Sequence, residues 1–595
     1  MTLPFHPLVS TWFTETYGKP TTVQEEAWPL IVEGKDILAI APTGSGKTLT
    51  AFLSAISRFI DGSWDPAKLC VLYVSPLKAL NEDIRRNLIE PIEALKQRAQ
   101  LMHCAEMDNP VYRIRVETRS GDTPQSERRR FLLHPPSILA VTPESLAILL
   151  LSPKGRTILS TIKYLVIDEI HAVMGTKRGA FLSCQIDRLM RIVFCHGGKS
   201  VSFQRIALSA TVNPPELAAE FAGGIDLSGK KQKLAIVVPP AKKNIHFTVE
   251  FPPEPADTST EGKFRYGPRY AVLVNYILER IGILSDQKNK KHGSILVFTD
   301  SRRRAERITY LLNETAGLAN PGSFRVALCH HGSLSKEVRY DVEQNLVHGL
   351  VPCVVATSSL ELGIDIGEIN EVILAGTPSS SSRTLQRIGR SGHNVGKTSC
   401  GVLLPFHGID LLLGAVMAEA VMEREIEKIK PINNPLDILS QTLLALCTEE
   451  SFTADELYRV IQKFAVFSGI ARSSFDQVLA MLTGKYFPSA NNDLKNETNF
   501  RLRELKPLLY QDIDGKLYAG NGVLTLLYSS GGVIPGRGLY SMRLPDGTKI
   551  GELDEEFVFE RRTGDSFDFG SRSWSIVEIG SEAVTVSPLA EAADF

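Results

Sequence analysis

A glycine-rich loop between an apolar strand and a helix constrains the fold of this chain more than any other feature. The run "DILAI" ends at Ile40, "APTGSGKT" covers Ala41–Thr48, and "LTAFLSAI" then places apolar residues at helical spacing. This order is the context of a phosphate-binding loop, since glycines let backbone N–H groups point at phosphates near a helix N-terminus. We therefore predict a nucleotide site in which Lys47 reaches the β- and γ-phosphates and Thr48 binds Mg2+. The loop residues predicted to contact the nucleotide are Thr43, Gly44, Ser45, Gly46, Lys47 and Thr48.

The sequence "YLVIDEIH", residues Tyr164–His171, supplies the acidic partner that a phosphate loop needs. An apolar strand delivers Asp168 and Glu169 at its carboxyl end, where open α/β sheets hold their ligands. We predict that Asp168 holds the metal through water and that Glu169 orients and deprotonates the attacking water. A strand that ends in acidic residues is common by itself, and its place behind a phosphate loop gives it this meaning.

Short apolar strands alternate with helical stretches in two consecutive series. The first runs from about Asp36 to Ser228 and includes "LCVLYVSP" and "RIALSAT"; the second includes "SILVFTD", "CVVATSS" and "EVILAGTP". Runs rich in Val, Ile and Leu indicate buried parallel strands, and their alternation with helices indicates doubly wound α/β domains. The segment between the two series, rich in Pro, Lys and Thr, predicts a linker or surface excursion around Pro252–Gly267.

The character of the chain changes after the second series. "TADELYRVIQKF" begins with a capping box at Thr453 and Glu456, and "SSFDQVLAML" repeats this pattern at Ser474 and Gln477. Short helices with a turn between them suggest a winged-helix module, which we expect to pack against the preceding domains rather than to read a DNA sequence. From about Tyr518, short strands and frequent turns predict a small β-barrel or sheet.

Bulk composition limits the partners and the compartment. The chain has 595 residues, too many for one hydrophobic core, and about three to five domains are expected. The 66 Lys and Arg residues balance 67 Asp and Glu residues, so no global positive field points to nucleic acid, although a local groove is possible. Eight cysteines without a CxxC pair argue against a zinc ribbon or an iron–sulfur cluster and fit a reducing compartment. With no leader sequence and no apolar run near the ~18 residues of a membrane span, we expect a cytoplasmic protein without membrane contact.

The ordered motifs resemble those of the superfamily 2 helicases of DEAD/DEAH type. The set is "APTGSGKT", "SPLKAL", "VTPESL", "DEIH", "SAT", "ATSSLELGIDIG" and "QRIGRSGH", and it spans nearly all of Phe13 to His393. A finer resemblance to the large helicase-related (Lhr-type) group, near the Ski-type branch, rests on "PLKALNEDI", "PLDILSQ" and "GELDEEFVFERRTGDSFDFGSRSW". The resemblance therefore covers essentially the whole chain.

The resemblance implies an α/β fold with two tandem RecA-like domains of doubly wound parallel sheet, a winged-helix module and a small β-barrel. The expected borders are 1–230, 231–430, 431–515 and 516–595 in that order. In this family such a core tracks along single-stranded nucleic acid from 3′ to 5′. Members usually continue into another large domain beyond the barrel, whereas this chain stops at Phe595. We expect either a fragment or a short natural form. The resemblance leaves open whether this chain closes around the nucleic-acid strand.

The resemblance also adds residues to the ATP site from both RecA-like domains. Gln24, in "FTETYGKPTTVQ", would satisfy the adenine edge through its amide. Arg390 would be the arginine finger, whose guanidinium stabilises charge on the transferred phosphoryl group, an effect worth roughly 10³–10⁵ in rate. His393 stands where many superfamily 2 proteins carry a second finger. Arg387 would join the nucleotide site or pair with acidic groups at the domain interface, and Asp365 would lie near the ribose.

Nucleic-acid contacts are implied at strand ends of both RecA-like domains. Hydroxyls, backbone amides and a few basic side chains suit phosphate contacts that read no base sequence. "SAT", residues Ser209–Thr211, would couple the ATP site to this track. For each contact residue alone, a strand-end cap or turn is the alternative. The predicted contacts are Thr123 and Thr142 in the first RecA-like domain and Arg302, His331 and Thr357 in the second.

Two classes of function fit these residues. One is a helicase or translocase that uses ATP and Mg2+ on DNA with a 3′ single-stranded tail, unwinding DNA or DNA–RNA duplexes in DNA repair, genome maintenance or defence. The other is an ATP-gated nucleic-acid clamp or scaffold that hydrolyses ATP without separating strands. The motif residues serve both classes, and an RNA helicase as well, because 2′-hydroxyl contacts cannot be inferred from residue types. The sequence identifies no protein partner and no oligomeric state.

Overall fold

The computed structural model describes most of the chain, in two compact units. The described residues are 3–42, 44–76, 84–101, 109–120, 123–197, 202–226, 229–239, 244–253, 267–285, 294–317, 325–361, 367, 369–392, 397–485, 506–531, 539–554, 557–558, 561–570, 572–580 and 583–589. The first unit comprises Met1–Ala41, Ser45–Pro240 and Lys428–Ile534. The second comprises Pro42–Gly44, Ala241–Glu427 and Pro535–Phe595.

The order of strands and helices fixes the topology of both units. The strands are β1 (Ile37–Ile40), β2 (Val71–Val74), β3 (Val116–Arg119), β4 (Ile138–Val141), β5 (Tyr164–Ile167), β6 (Gln204–Ser209), β7 (Ala235–Val237), β8 (Ile245–Val249), β9 (Ser294–Phe298), β10 (Ala327–His330), β11 (Cys353–Ala356), β12 (Ile369–Ala375), β13 (Ser399–Leu404), β14 (Leu509–Gln511), β15 (Leu517–Ala519), β16 (Leu539–Arg543), β17 (Lys549–Asp554), β18 (Ser566–Phe569), β19 (Arg572–Ile579) and β20 (Ala583–Pro588). The helices are α1 (Pro7–Tyr17), α2 (Thr22–Val32), α3 (Lys47–Ile60), α4 (Glu90–Leu101), α5 (Gln125–Leu133), α6 (Pro143–Leu151), α7 (Pro153–Leu159), α8 (Lys177–Gly197), α9 (Pro215–Gly223), α10 (Pro268–Ser285), α11 (Arg302–Thr315), α12 (Lys336–Val347), α13 (Ser381–Ile388), α14 (Gly408–Glu423), α15 (Leu436–Glu449), α16 (Ala454–Ile461), α17 (Arg472–Leu482) and α18 (Val523–Ser530).

The seven-stranded sheet of the first unit is parallel throughout, in the order β3-β4-β2-β5-β6-β1-β7. Its central strands are apolar and fully buried, as expected for a sheet covered by helices on both faces. Helices α1 to α4 supply the core on one face, and α6 to α9 supply the core on the other. This is the doubly wound arrangement that the sequence predicts.

The parallel register brings the carboxyl ends of these strands to one edge of the sheet. Arg119, the last residue of β3, pairs with Val141, and Ile40 at the end of β1 pairs with Ser209. Neighbouring strands lie ~4.8 Å apart, so β3 and β1, five positions apart in the order, are about 24 Å apart. Residues that follow β3 and β4 therefore lie toward one end of this edge, and those that follow β5 and β1 lie toward the other.

The second unit contains a parallel six-stranded sheet in the order β10-β11-β9-β12-β13-β8. Helices α10 and α11 cover one of its faces. Ala356 pairs with His330 on one side and with Phe298 on the other. The residues that follow β9, β10 and β11 consequently lie side by side at the carboxyl edge. The two sheets confirm the predicted fold class of two RecA-like domains.

The winged-helix module belongs to the first unit. Helices α15 to α18 and the hairpin of β14 and β15 share one hydrophobic core with α6 and α8. The predicted capping box of α16 is confirmed: the Thr453 N–H donates to Glu456 Oε2 at 2.8 Å, and the Glu456 N–H donates to Thr453 Oγ1 at 3.3 Å. The module thus packs against the first RecA-like domain, as expected.

The second predicted capping box, at Ser474 and Gln477, is wrong. Helix α17 begins two residues earlier, at Arg472, so Ser474 lies inside its first turn. Arg472 Nε donates to Asp476 Oδ1 at 2.8 Å, one helical turn later, and this pair favours the earlier start.

A five-stranded sheet in the order β17-β16-β20-β19-β18 follows in the second unit, antiparallel except for the pair β16–β20. It curls into a half-barrel. Paired elements cross two of the borders expected from the sequence. The hairpin pairs Leu509 with Ala519 across 515/516, and β7 pairs with β1 although it lies beyond 230/231. Changes of composition cannot locate such pairings. Most of the predicted linker around Pro252–Gly267 lies outside the described residues.

Candidate active site

The phosphate loop joins β1 to α3 with a left-handed glycine. Gly46 has φ +80°, a conformation that favours glycine, and a Cβ there would displace the Gln24 amide, whose Nε2 would lie 2.6 Å away. The Lys47 ammonium donates to the Ala41 carbonyl at 2.6 Å and is buried. Lys47 therefore folds back over the loop at the N-terminus of α3, where the helix dipole favours anions. Gly44, Ser45 and the half-buried Thr48 accompany it, and Thr43 lies outside the described residues.

Gln24 connects helix α2 to this loop. Its Oε1 accepts from the Thr21 N–H at 2.9 Å, and its Nε2 donates to the Gly46 carbonyl at 3.4 Å. Thr21 Oγ1 donates to the Ser45 carbonyl at 2.9 Å. The Gln24 amide is thus bound by the protein backbone and positions the loop. Its predicted contact with adenine stays a prediction.

The two acidic residues stand together at the end of β5. Tyr73, on the neighbouring strand β2, donates its hydroxyl hydrogen to Asp168 Oδ2, and the Glu169 N–H donates to Asp168 Oδ1 at 2.7 Å. Glu169 adopts a left-handed φ of +46°, uncommon for a residue with a Cβ. Burial, and then the Glu169 charge, raise the pKa of Asp168 to about 6, against the Tyr73 hydrogen bond and the Lys47 charge. Such strain and proximity of like charges are typical of functional sites.

His171 links the acidic motif to the "SAT" motif. Its Nδ1 lies 3.1 Å from Ser209 Oγ and 3.5 Å from Glu169 Oε2. Burial, and then the nearby Lys47 charge, lower the pKa of His171 to about 4, so the ring is neutral at pH 7. No role was predicted from the sequence for His171 or for Tyr73. A tyrosine inside the buried run "VLYV" was the available signal for the latter.

The residues of this site fit a nucleotide with a divalent cation. Glu169 Oε2 and Ser45 Oγ are buried and, within the described part of the chain, have no hydrogen-bond partner. Buried polar atoms are normally satisfied, so such atoms point to a polar ligand. Hydroxyl and carboxylate oxygens, offered here by Thr48 and Asp168, are the donors that Mg2+ prefers.

The predicted track residues of the first unit follow β3 and β4. Thr142 caps α6, and its Oγ1 accepts from the Ser145 N–H at 3.4 Å. Thr123 Oγ1 accepts from the Ser120 N–H at 2.9 Å, and its carbonyl accepts from Arg128 Nε at 2.9 Å. Both threonines therefore also serve as the strand-end caps named as the alternative, and their nucleic-acid role stays a prediction.

The predicted track residues of the second unit follow β9, β10 and β11. Arg302 Nη1 donates to Ser333 Oγ at 2.6 Å. Thr357 is half-buried and its hydroxyl makes no capping hydrogen bond to the turn that it precedes. His331 is 1% exposed, and its Nε2 lies 2.8 Å from Glu306 Oε1. The contacts of His331 favour a structural role, and its predicted phosphate contact stays untested.

The two arginines of "QRIGRSGH" are buried in the second unit. Arg387 lies 3.2 Å from Asp300 Oδ1 and 3.5 Å from Glu361 Oε2, so it pairs with acidic groups of its own unit. Arg390 Nη2 donates to the Glu361 carbonyl at 2.8 Å. Asp365 and His393 lie outside the described residues. The roles assigned to the two arginines at the nucleotide stay predictions.

Three family models match consecutive parts of the chain. A DEAD/DEAH box helicase model matches residues 21–219, and a helicase conserved C-terminal domain model matches 272–394. A model of the winged helix domain of the large helicase-related protein matches 419–594. The chain belongs to the Lhr-type group of superfamily 2 helicases.

Curated relatives share this assignment over nearly the whole chain. "Lhr helicase/ probable uracil glycosylase" of Mycolicibacterium smegmatis is 40% identical over 98% of this chain and 38% of its own length. "Lhr helicase/uracil glycosylase" of Escherichia coli is 36% identical over 98% and 39%. "ATP-dependent helicase Lhr-Core" of Saccharolobus solfataricus is 34% identical over 96% and 61%. The chain thus spans less than two thirds of each of these relatives.

A solved structure of the same family has a similar fold. The structure of Mycobacterium smegmatis helicase Lhr bound to ssDNA and AMP-PNP has a TM-score of 0.75 and 39% identity, over 90% of this chain and 63% of that one. A structure of the helicase MrfA bound to DNA and AMPPNP has a TM-score of 0.72 at 20% identity, over 99% of this chain and 73% of that one, a likeness of fold alone. Among the helices that the structure describes, none has both the length and the apolar character needed to cross a membrane.

Proposed function

We propose that this chain couples ATP hydrolysis to movement along single-stranded nucleic acid, with DNA as the favoured track and 3′ to 5′ as the direction. One observation carries the proposal: Lys47 and Asp168 follow β1 and β5, while Thr123 and Thr142 follow β3 and β4, at one edge of the same parallel sheet. A nucleotide site and a strand-binding surface on one packed sheet can influence each other mechanically. The M. smegmatis Lhr structure, with ssDNA and AMP-PNP, supports the choice of ligands.

At the nucleotide site, Lys47 would hold the β- and γ-phosphates, and Thr48 and Asp168 would hold Mg2+, which neutralises phosphate charge when it is bound. Glu169 would orient the attacking water and accept its proton at the buried Oε2. Tyr73 and the Glu169 N–H hold the Asp168 carboxylate in one orientation. Arg390 would stabilise the charge that develops on the transferred phosphoryl group.

The connection from the nucleotide to the track would run through His171. Its contacts with Glu169 and Ser209 connect the general base to the "SAT" motif that ends β6. A change in the Glu169 environment during hydrolysis would therefore alter the contact between His171 and Ser209, at the carboxyl edge of the sheet. The half-buried hydroxyl of Thr357 and the guanidinium of Arg302 would provide the contacts of the second unit.

A paired assay tests this proposal. Steady-state ATPase is measured with single-stranded DNA, with single-stranded RNA and without nucleic acid, beside displacement of a labelled strand from duplexes with a 3′ or a 5′ tail. We expect stimulation by DNA and displacement only with the 3′ tail; Lys47→Ala is the inactive control. Stimulation without displacement would favour the ATP-gated clamp, stronger stimulation by RNA would favour an RNA motor, and no stimulation at low salt would contradict all three.

Pathway and compartment are extensions of the same proposal. Movement on DNA would suit repair, genome maintenance or defence. A reducing compartment such as the cytoplasm would suit the cysteines of the described residues, which are free thiols.

A further inference from the structure

A cavity of about 480 Å³ lies at the β3 edge of the sheet in the first unit. Residues of α4, β3 and α5 line it, and its volume falls within the about 300–1,000 Å³ of typical ligand pockets. Five lining side chains are cationic and three are carboxylates: Lys96, Arg115, Arg119, Arg128 and Arg130, with Glu93, Glu117 and Glu127. Such a cavity attracts an anion where one of its cations has no partner in the protein.

Three of these arginines interact with other groups of the protein. Arg115 Nη2 donates to the Pro135 carbonyl at 2.6 Å. Burial raises the pKa of Glu117, and the charges of Arg130 and Arg115 oppose this rise. Arg128 Nε donates to the Thr123 carbonyl at 2.9 Å and so holds the turn after β3. These three guanidinium groups are accounted for by the structure of the first unit.

Arg119 has no such partner within the described residues. It is 9% exposed, and its Nη1 is buried without a hydrogen bond. Its guanidinium lies 5.8 Å from the centre of the Phe131 ring, which orients the group but does not neutralise it. Burial, and then the Arg128 charge, lower the pKa of Arg119 to about 10, so the side chain stays charged at neutral pH. A buried charge without a counterion is unfavourable, and an anion in the cavity would relieve it.

Helix α18 of the winged-helix module packs against α6, the helix that begins directly after Thr142 at the end of the neighbouring strand β4. Val523 and Leu527 are buried in the core shared with α6, so Leu524 and Tyr528, one turn apart, face outward at 43% and 38% exposure. Tyr528 is near enough to act on the pKa of Arg119, in the direction opposite to burial. A cation that binds phosphate beside a ring that stacks on a base is the combination by which proteins hold single strands without reading sequence.

We propose that Arg119 binds a backbone phosphate of single-stranded nucleic acid and that Tyr528 stacks on an adjacent base. The inference rests on the proposed function and extends its track from Thr142 and Thr123 to α18. Arg119 ends β3, the strand that precedes Thr123, and therefore lies at the carboxyl edge to which the track is assigned. The winged-helix module would then hold the strand through a ring, with no contact to a base edge.

The test measures binding of the full chain to a labelled oligothymidylate over a series of salt concentrations. We expect Arg119→Gln to weaken binding about 5- to 20-fold at low salt and to reduce the slope of log K against log salt by about 0.7, as for one lost phosphate contact. Tyr528→Ala should weaken binding about 5-fold or more without changing that slope, and Tyr528→Phe should bind as the wild type does, because stacking needs only the ring. The matched control is Arg130→Gln, which removes from the same cavity a charge that acts on the pKa of Glu117 and should leave the slope unchanged.

The outcomes separate this inference from the proposed function. A wild-type chain that fails to bind any single strand would overturn both. A wild-type chain that binds, with Arg119→Gln and Tyr528→Ala unchanged in affinity and slope, would overturn the inference alone. A third outcome would also overturn the inference: inorganic phosphate raises the melting temperature only when Arg119 is present, but strand binding does not depend on Arg119. That result would identify a site for a free anion. If Arg119→Gln does not fold, Tyr528→Ala decides, because loss of an exposed ring leaves the core intact.

Discussion

The guanidinium of Arg390 donates to the backbone carbonyl of Glu361, from Nε at 3.2 Å and from Nη2 at 2.8 Å. Arg390 is 1% exposed, and the Glu361 carboxylate lies 3.5 Å from Arg387 Nε. The residue proposed as the arginine finger therefore stabilises the segment before "GIDIG" within its own unit. An arginine finger affects the rate of hydrolysis, whereas a structural arginine affects the stability of the fold. Substitutions can distinguish these two roles.

We expect Arg390→Ala to lower the saturated rate of ATP hydrolysis about 10³-fold while ATP affinity changes much less, because the guanidinium meets its full charge only in the transition state. Loss of the bond to Glu361 should also destabilise the second unit by ~1–3 kcal/mol. Arg390→Lys should restore stability better than it restores the rate, since a point charge does not reproduce the planar fork.

His393→Ala should lower the rate less than Arg390→Ala does, because an imidazole is mostly neutral at pH 7. Nucleotide affinity, saturated rate and melting temperature are measured for each variant; a folded Arg390→Ala with normal turnover would assign Arg390 a purely structural role.

The phosphate loop and the acidic motif predict two distinct kinetic defects. Lys47→Ala should abolish ATP turnover, because the loop loses the cation that it holds over the phosphate site. Glu169→Gln should still bind ATP and should lower hydrolysis by at least about 10²-fold, as expected for loss of a general base. The control is Tyr73→Phe, which removes the hydroxyl bound to Asp168 and should lower the rate less than Glu169→Gln. Near-normal steady-state ATPase in Glu169→Gln would contradict the general-base assignment.

Local chemistry explains which parts of the site could be predicted from the sequence. Lys47, Asp168 and Glu169 stand in recognisable motifs, because the roles predicted for them require these residue types at fixed places: Lys47 at the start of the helix after β1, and the two carboxylates directly after β5. The fold class could be predicted for a similar reason, since fully apolar runs such as "ILAI" and "YLVI" suit only strands buried on both faces.

Contacts between distant segments could not be predicted in this way. Glu306 Oε1 accepts from the Gly570 N–H, and Asp187 Oδ2 accepts from the Ala465 N–H, pairs separated by 264 and 278 residues. Both hydrogen bonds join a RecA-like domain to a C-terminal module of the same unit. Neither Glu306 nor Asp187 stands in a recognisable sequence motif. The sequence could not indicate that Arg119 has no carboxylate partner among the described residues, because this depends on how the chain packs.

His331 offers a direct test of a track contact against a structural contact. Its Nε2 bonds to Glu306, its Nδ1 accepts from the Ser333 N–H at 3.3 Å, and its ring packs on Phe569 of the half-barrel. We expect His331→Ala to destabilise the second unit by ~2–3 kcal/mol, as for loss of buried packing and a charge-assisted bond. Affinity for single-stranded DNA should change less than about threefold. The exposed His348, replaced by Ala, is the control; weaker DNA binding at an unchanged melting temperature would restore the phosphate contact predicted from the sequence.

The pair of Asp187 and Ala465 predicts a pH dependence of stability at the junction between α8 and the winged-helix module. The Ala465 N–H donates to Asp187 Oδ2 at 2.9 Å, and burial raises the pKa of Asp187 from 3.8 to about 7, against that hydrogen bond and the Arg205 charge. Between pH 4 and pH 7 the folded state therefore binds this proton while the unfolded state does not, so the free energy of unfolding falls as pH rises through this window and levels off above it.

Asp187→Asn should remove this effect, because an amide oxygen accepts the same hydrogen bond without ionising. We expect the free energy of unfolding of the variant to exceed that of the wild type by ~1–2 kcal/mol at pH 8. The upper limit is ~4 kcal/mol, the free energy that corresponds to the full rise in the pKa of Asp187. The measurement is the melting temperature at pH 5, 6, 7 and 8, where the variant should give the flatter curve. Asp455→Asn is the control, because the pKa of that exposed carboxylate is lowered by Arg472 and its titration lies below this range. A variant destabilised equally at pH 5 and pH 8 would mean that Asp187 is ionised in the folded protein and that its charge strengthens the bond to Ala465.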